Sequence, residues 1–277
     1  MIAEKILFNR KERLTHILRL LKCINADIML LQEVMTTEYK ALTTTFGKNY
    51  LVLQGTHLRW YGKKTSSGNV TLLRKNMFAL LPNMPNLAFG LHIRCHLLAT
   101  SKVVKLPPSN KNTEVDMCTH VCQNTNKTSR RLLKNPIPLD IFNVHLDDIS
   151  SMKRVQEIQS ILPHFRITQK AIIGGDFNQN YNTAAKLYKL LVKLGFKSYI
   201  SEPTYRIEKN MCIDHVMTKG FEKHNTNNTN RINNKINKTR KFSQKNKKGC
   251  VVNDFGDDIL KQFEEYGSDH LPIIVNV

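Results

Sequence analysis

The 277-residue sequence predicts an α/β fold. Three segments carry the apolar spacing of a helix with one buried face, and a short compact apolar run lies beside each of them. Polar residues able to do chemistry recur where those apolar runs end, which is where an α/β sheet commonly opens its site.

The first helix is expected over Lys11 to Lys22, where Leu14, Ile17, Leu18 and Leu21 share one face. It leads into Asp27-Ile28-Met29-Leu30-Leu31, a buried strand ending at Gln32-Glu33. The next strand is Ile141-Phe142-Asn143-Val144-His145, followed by a helix from about Ser151 with Val155, Ile158 and Leu162 inward. Ala171-Ile172-Ile173 forms the third strand, closed by Gly174-Gly175-Asp176, and the helix after it sets Leu187, Leu191 and Leu194 on one side. Residues 101 to 135 and 222 to 249 interrupt this alternation. Both are polar and rich in Asn and Lys, too poor in apolar surface to offset their ordering entropy, and are expected as disordered insertions in a single domain spanning 1–277.

With 41% hydrophobic residues the chain can bury a full core. Its net charge of +20 favours an anionic partner, nucleic acid first, because a positive field concentrates polyanions. The segment from Phe221 to Gly249 supplies +8 of that charge, and the rest of the chain is still basic. Six scattered cysteines do not form the paired spacings of a structural zinc site; Cys118, His120 and Cys122 are the only close group. No run approaches the roughly 18 apolar residues of a membrane span. The expectation is an intracellular protein, nuclear or cytoplasmic, monomeric by default and without a transmembrane segment.

The candidate site gathers from strand ends. Glu33 follows Leu30-Leu31, His145 ends its strand, Asp176 and Asn178 follow the glycine pair, Asp214 follows Ile213, and Asp269-His270 precedes Leu271-Pro272. Hydrolysis of a phosphodiester needs an in-line water, neutralised non-bridging oxygens and help for the leaving oxygen. Magnesium accepts one or two carboxylates and keeps its waters, so Glu33 with a nearby Asp suffices as a metal site. A histidine braced by an aspartate serves as acid, base or phosphate contact. Taken singly, Asp176 and Asn178 also suit a helix-capping turn, and His145 also suits a satisfied core position.

Five segments, in this order, resemble the successive motifs of the endonuclease/exonuclease/phosphatase superfamily. They are Leu30-Leu31-Gln32-Glu33-Val34, Asn143-Val144-His145-Leu146, Gly175-Asp176-Phe177-Asn178, Ile213-Asp214-His215-Val216 and Ser268-Asp269-His270-Leu271-Pro272. Ser67 to Lys75 is similar to that family's strand after the glutamate motif. The resemblance implies a four-layered α/β sandwich of two facing mixed sheets flanked by helices. It implies a Mg2+ or Mn2+ cofactor held by Glu33 with Asp269. It further implies that Asp176 activates water, Asn178 holds phosphate and water, His145 contacts the scissile phosphate with Asp214 orienting it, and His270 pairs with Asp269 to stabilise the transition state. His215 occupies a position that reads as packing. The family normally begins with a strand carrying an asparagine, so the first strand is expected to be missing here, with Asn9 in the loop before the first helix. Members act on abasic DNA, poly(A), tyrosyl-DNA adducts, sphingomyelin or inositol polyphosphates. The expected activity is phosphodiester hydrolysis on nucleic acid; the alternatives are an inositol polyphosphate or sphingomyelin phosphoesterase, and a catalytically impaired nucleic-acid binder that keeps the fold.

Overall fold

The computed structural model describes residues 10–60, 63–81, 86–87, 89–98, 137–166, 170–181, 186–205, 211–221, 249–251, 268 and 270–275. The first expected insertion, Asn9, the Cys118-His120-Cys122 group and Asp269 lie outside them, as does the second insertion up to residue 248. Gly249 is a correction to that insertion's expected boundary. It pairs with Val275 and opens a strand, because the polar run stops there and the buried Val251 follows two residues on.

Among the described residues the chain runs as α1 (Arg10–Ile24), β1 (Ile28–Met35), α2 (Thr36–Phe46), β2 (Tyr50–Trp60), β3 (Lys63–Arg74), β4 (Phe78–Leu80), β5 (Asn86–Leu87) and β6 (Gly90–Leu97). It continues through β7 (Ile137–His145), α3 (Ser151–Ile161), a 3-10 turn, β8 (Lys170–Asp176), α4 (Lys186–Lys193), β9 (Lys197–Ser198), β10 (Asp214–Lys219), β11 (Gly249–Val251) and β12 (Ile273–Val275). One sheet has the order β1-β3-β2, the second β4-β6-β7-β8-β10-β9 with β5 beside β6, and β11 pairs with β12. Among the described strands only β7 and β8 pair in parallel; α3 makes the crossover between them.

The four layers follow from which residues pack where. Leu21, Leu42 and Phe46 of α1 and α2 cover Met29, Val70 and Leu72 on the outer face of the first sheet. Ile158, Ile161, Leu187 and Leu191 of α3 and α4 cover Phe142, Val144, Ile173 and Met217 on the outer face of the second. Between the sheets lie Leu73, Ile93, Ile141 and Ile172, with Ile28, Leu30 and Val216 packed against them. Successive side chains on a strand face opposite ways, so Leu139, Ile141, Asn143 and His145 of β7 all face the first sheet.

Two polar devices fix how the sheets meet. Asn143 is fully buried; its amide nitrogen donates to the carbonyls of Leu31 (3.1 Å) and Val70 (3.0 Å) on the facing sheet, and its Oδ1 accepts from Gln32 Nε2 at 2.7 Å. Gly175 is the second. At φ +134°, a Cβ there would lie 2.0 Å from the Val144 carbonyl oxygen and 3.0 Å from Gln32 Nε2, so no side chain fits.

Candidate active site

The site begins as one rung of the second sheet. In the ladder His145 of β7 is opposite Asp176 of β8, and Asp176 is opposite Asp214 of β10. All three fall on the inner face, since each is an even number of residues from an inward residue of its strand: Ile141, Ile172 and Val216. Phe177 N–H donates to the Ile213 carbonyl and Leu146 N–H to the Asp176 carbonyl, which extends the pairing past the strand ends and holds the rung flat.

Glu33 reaches this rung from the facing sheet. The β1–β3 register slips by one residue between Leu31 and Val34, a bulge, and Glu33 takes a left-handed backbone at φ 55°. The extra residue lets both Gln32 and Glu33 approach the second sheet: Gln32 meets Asn143, and Glu33 Oε1 comes within 3.8 Å of His145 Nε2. Glu33 is 74% exposed, while Asp176 and Asp214 are buried.

His270 arrives from the segment before β12. Its Nδ1 lies 2.8 Å from Asp214 Oδ2, its ring packs against Tyr205, and its backbone N–H donates to Ser268 Oγ. Thr204, fully buried, ties these parts together. Its hydroxyl accepts from the Ile213 and Asp214 N–H groups, and its carbonyl accepts from Leu271 N–H at 2.7 Å. No spacing in the sequence marks Thr204, and only the packing of these segments reveals it.

These contacts correct one expected pairing. Asp214 braces His270 rather than His145, because β8 lies between β7 and β10 and puts Asp214 two strand spacings, about 9.6 Å, from His145 along the sheet. The expected pairing of His270 with Asp269 lies outside the described residues. His145 instead has Asp176 Oδ2 at 3.8 Å and Glu33 at the same distance.

Burial lowers the pKa of His145, with Glu33 opposing and His270 reinforcing the shift, so it is neutral near pH 7. Its Nδ1 is buried without a partner. The proton therefore belongs on Nε2, on the carboxylate side, because a bare lone pair in an apolar wall costs less than an unsatisfied N–H. Burial raises Asp176 to about 7, and the facing Asp214 adds to this. Asp176 Oδ1 accepts from the Asn178 N–H at 2.7 Å. Asn178, at φ 49°, uses its Nδ2 to donate to the Leu146 carbonyl, which leaves its Oδ1 as the free end of the amide.

Side-chain ligand atoms of Asp176, Asp214 and His270 lie within 4.8 Å of one another. Two oxygen donors and one imidazole, with the Glu33 carboxylate across the cleft, suit a hard divalent cation. A cleft of ≈ 900 Å³ opens onto Glu33, Asp176, Asp214 and His270 and continues between α1, β1 and β12.

His215, expected to be structural, is fully buried on the opposite face of β10 among Phe177, Tyr181 and Tyr188, with Nε2 3.2 Å from the Cys212 carbonyl oxygen. Asp147 sets the turn after His145. It accepts from the Ile149 and Ser150 N–H groups and from Lys153, and Ser150 caps α3.

The sequence model of the Endonuclease/Exonuclease/phosphatase family matches residues 6–270. Among curated proteins none matches. Solved structures do. One is ANGEL2, described as a 2',3'-cyclic phosphatase in complex with adenosine-2',3'-vanadate, at TM-score 0.58 and 12% identity, covering 96% of this chain and 85% of that one. Another is an endonuclease/exonuclease/phosphatase family protein from Leptotrichia buccalis C-1013-b, at TM-score 0.56 and 15% identity, covering 97% and 94%. A third is D. rerio TDP2 complexed with single strand DNA product, at TM-score 0.55 and 12% identity, covering 96% and 91%. At these identities the likeness is one of fold.

Proposed function

The chain belongs to the endonuclease/exonuclease/phosphatase family, and from that premise we propose that it hydrolyses phosphodiester bonds of nucleic acid with the help of Mg2+ or Mn2+. The observation that carries this reading is the rung His145–Asp176–Asp214 closed by the Asp214–His270 hydrogen bond and faced by Glu33.

Each residue then has a task its surroundings support. Asp176 takes the proton of the attacking water, with Asn178 Oδ1 accepting from that water's second hydrogen. Neutral His145 donates its Nε2–H to a non-bridging phosphate oxygen. His270, fixed through Nδ1 by Asp214, turns Nε2 to the phosphate or the leaving oxygen. Glu33, across the cleft from this rung, would hold the cation, which when bound neutralises charge on the phosphoryl oxygens. Asp269, beside His270 in sequence, stays in the proposed site as a further carboxylate.

Support for nucleic acid as the substrate comes from the basic charge of +20 and from the nucleotide ligands of two structural neighbours, ANGEL2 and TDP2. The test is turnover of a labelled oligonucleotide and of a small phosphodiester, with and without added Mg2+ or Mn2+. Hydrolysis of both that stops in excess chelator is expected. Undiminished turnover in chelator overturns the metal assignment. Release of inorganic phosphate from an inositol polyphosphate with no oligonucleotide cleavage overturns the substrate assignment.

A further inference from the structure

The outer face of α4 carries a row of lysines without a carboxylate among them. From Phe177 to Ser201 the sequence contains Lys186, Lys189, Lys193 and Lys197 and no Asp or Glu. All four are exposed, whereas Leu187, Tyr188 and Leu191 on the other side of α4 are buried. Among the described residues none of the four pairs with a carboxylate.

Helix physics argues against this arrangement as mere solvation. Lys189 and Lys193 are i, i+4 neighbours of like charge, which destabilises a helix. The dipole favours Lys193, in the last turn, by no more than a few tenths of a kcal/mol up to about 1.

The row also has a direction. α4 follows the Asp176–Asn178 end of β8, and its Tyr188 hydroxyl donates to the carbonyl of Gln179, so its start is tied to the rim of the site. It ends beside Lys197, which pairs in β9 with Thr218 at the far end of β10 from Asp214. Lys219 lies alongside there, its Cγ 4.0 Å from where a Cβ on Gly195 would stand. At 1.5 Å per residue, Lys186 to Lys193 spans about 10 Å, the axial length of roughly three phosphates of one strand.

We propose that the row formed by Lys186, Lys189 and Lys193 on α4 and by Lys197 on β9 is a backbone track for a single nucleic-acid strand leaving the active site, recognising phosphates and not bases. This rests on the reading of the chain as a nucleic-acid phosphodiesterase and extends it to substrates longer than the cleft. Four cations in line with no intervening carboxylate fit successive phosphates of a flexible strand.

The test compares the full chain with Lys186→Ala/Lys189→Ala/Lys193→Ala, and with Lys40→Ala/Lys48→Ala, two exposed lysines on the opposite helical layer. Binding of a fluorescent oligothymidylate is measured in chelator over a series of salt concentrations. For the triple variant, the slope of log affinity against log salt should fall by roughly 2, about 0.7 per lost phosphate contact on a single strand. Its melting temperature should hold or rise, because like-charge repulsion is removed. The Lys40/Lys48 variant should keep the wild-type slope. An unchanged slope in the triple variant, or an equal loss per lysine in the control, overturns the track. Lysine-dependent binding to vesicles containing phosphatidylserine, without an effect on oligothymidylate, also overturns it. Failure of the functional reading looks different: wild type then cleaves no oligonucleotide in Mg2+ or Mn2+, whatever the slopes.

Discussion

Asn143 Nδ2 lies 3.1 Å from the carbonyl oxygen of Leu31, and the two residues belong to different sheets. The Leu31 carbonyl sits where the β1–β3 register slips, so Asn143 supports the bulge that carries Glu33. Asn143→Ala would strip partners from Leu31, Val70 and Gln32 at once. A loss of about 3 kcal/mol in urea unfolding is expected, because buried polar groups left unpaired cost their desolvation. A loss below about 1 kcal/mol would show that the interface does not depend on this side chain.

The three histidines separate by role. His145→Ala and His270→Ala should each lower single-turnover rates by roughly 10²- to 10⁴-fold with little change in melting temperature. His215→Ala should do the reverse, losing about 3 kcal/mol to the cavity left among Phe177, Tyr181 and Tyr188 while chemistry in the surviving folded fraction continues. A stable, inactive His215→Ala beside a fully active His145→Ala would refute the assignment.

Asp214 is hydrogen-bonded to His270, and on the proposed mechanism their substitutions should not add. Asp214→Asn in the His270→Ala background should cost far less rate than in the wild type, since paired groups act as a unit. The check is a double-mutant cycle on single-turnover rates. Strong coupling of Asp214 to His145 with none to His270 would mean that the pairing is the other way round.

Stability should fall in mild acid through His215, which burial pushes down to about 4. Its value in the unfolded chain is about 6.5, so between the two the unfolded state carries a proton that the folded state refuses. This contribution is complete above about 6.5 and is lost as pH falls toward 4, about 3 kcal/mol at 1.36 kcal/mol per unit. His145, also lowered, tilts the curve the same way. Urea unfolding across this range should steepen for wild type and flatten for His215→Phe; identical slopes would remove His215 from the explanation.

The parts of the fold legible in the sequence were those with compact apolar runs. β1, β7 and β8 announce themselves through Ile28 to Leu31, Ile141 to Val144 and Ala171 to Ile173, and their polar ends fall at the site. α2 escapes such reading because Thr36, Thr37, Thr43, Thr44 and Thr45 dilute its apolar stripe, and its N-cap is Met35 rather than a Ser or Asp, with Glu38 accepting from the Met35 N–H. β6 escapes because Gly90, His92 and Arg94 occupy one of its faces, where His92 and Arg94 meet the buried Asp140. Which acid braces which histidine was illegible for a different reason. Sequence order gives strand ends, whereas the pairing depends on β8 lying between β7 and β10.

The shared rung of His145, Asp176 and Asp214 makes the spacing of the reactive groups a property of peptide hydrogen bonds, not of side-chain packing. Neighbouring strands stand about 4.8 Å apart in any sheet, so the interval survives wholesale replacement of the residues around it. The same geometry forbids half measures. A one-residue slip of β8 would carry Asp176 to the opposite face and leave its neighbours without it, so the arrangement is inherited whole or lost. On the proposed reading, change in what is cleaved must therefore come from segments outside the rung, such as the Asp147 turn and the surface of α4, which can vary without touching the interval between the three residues.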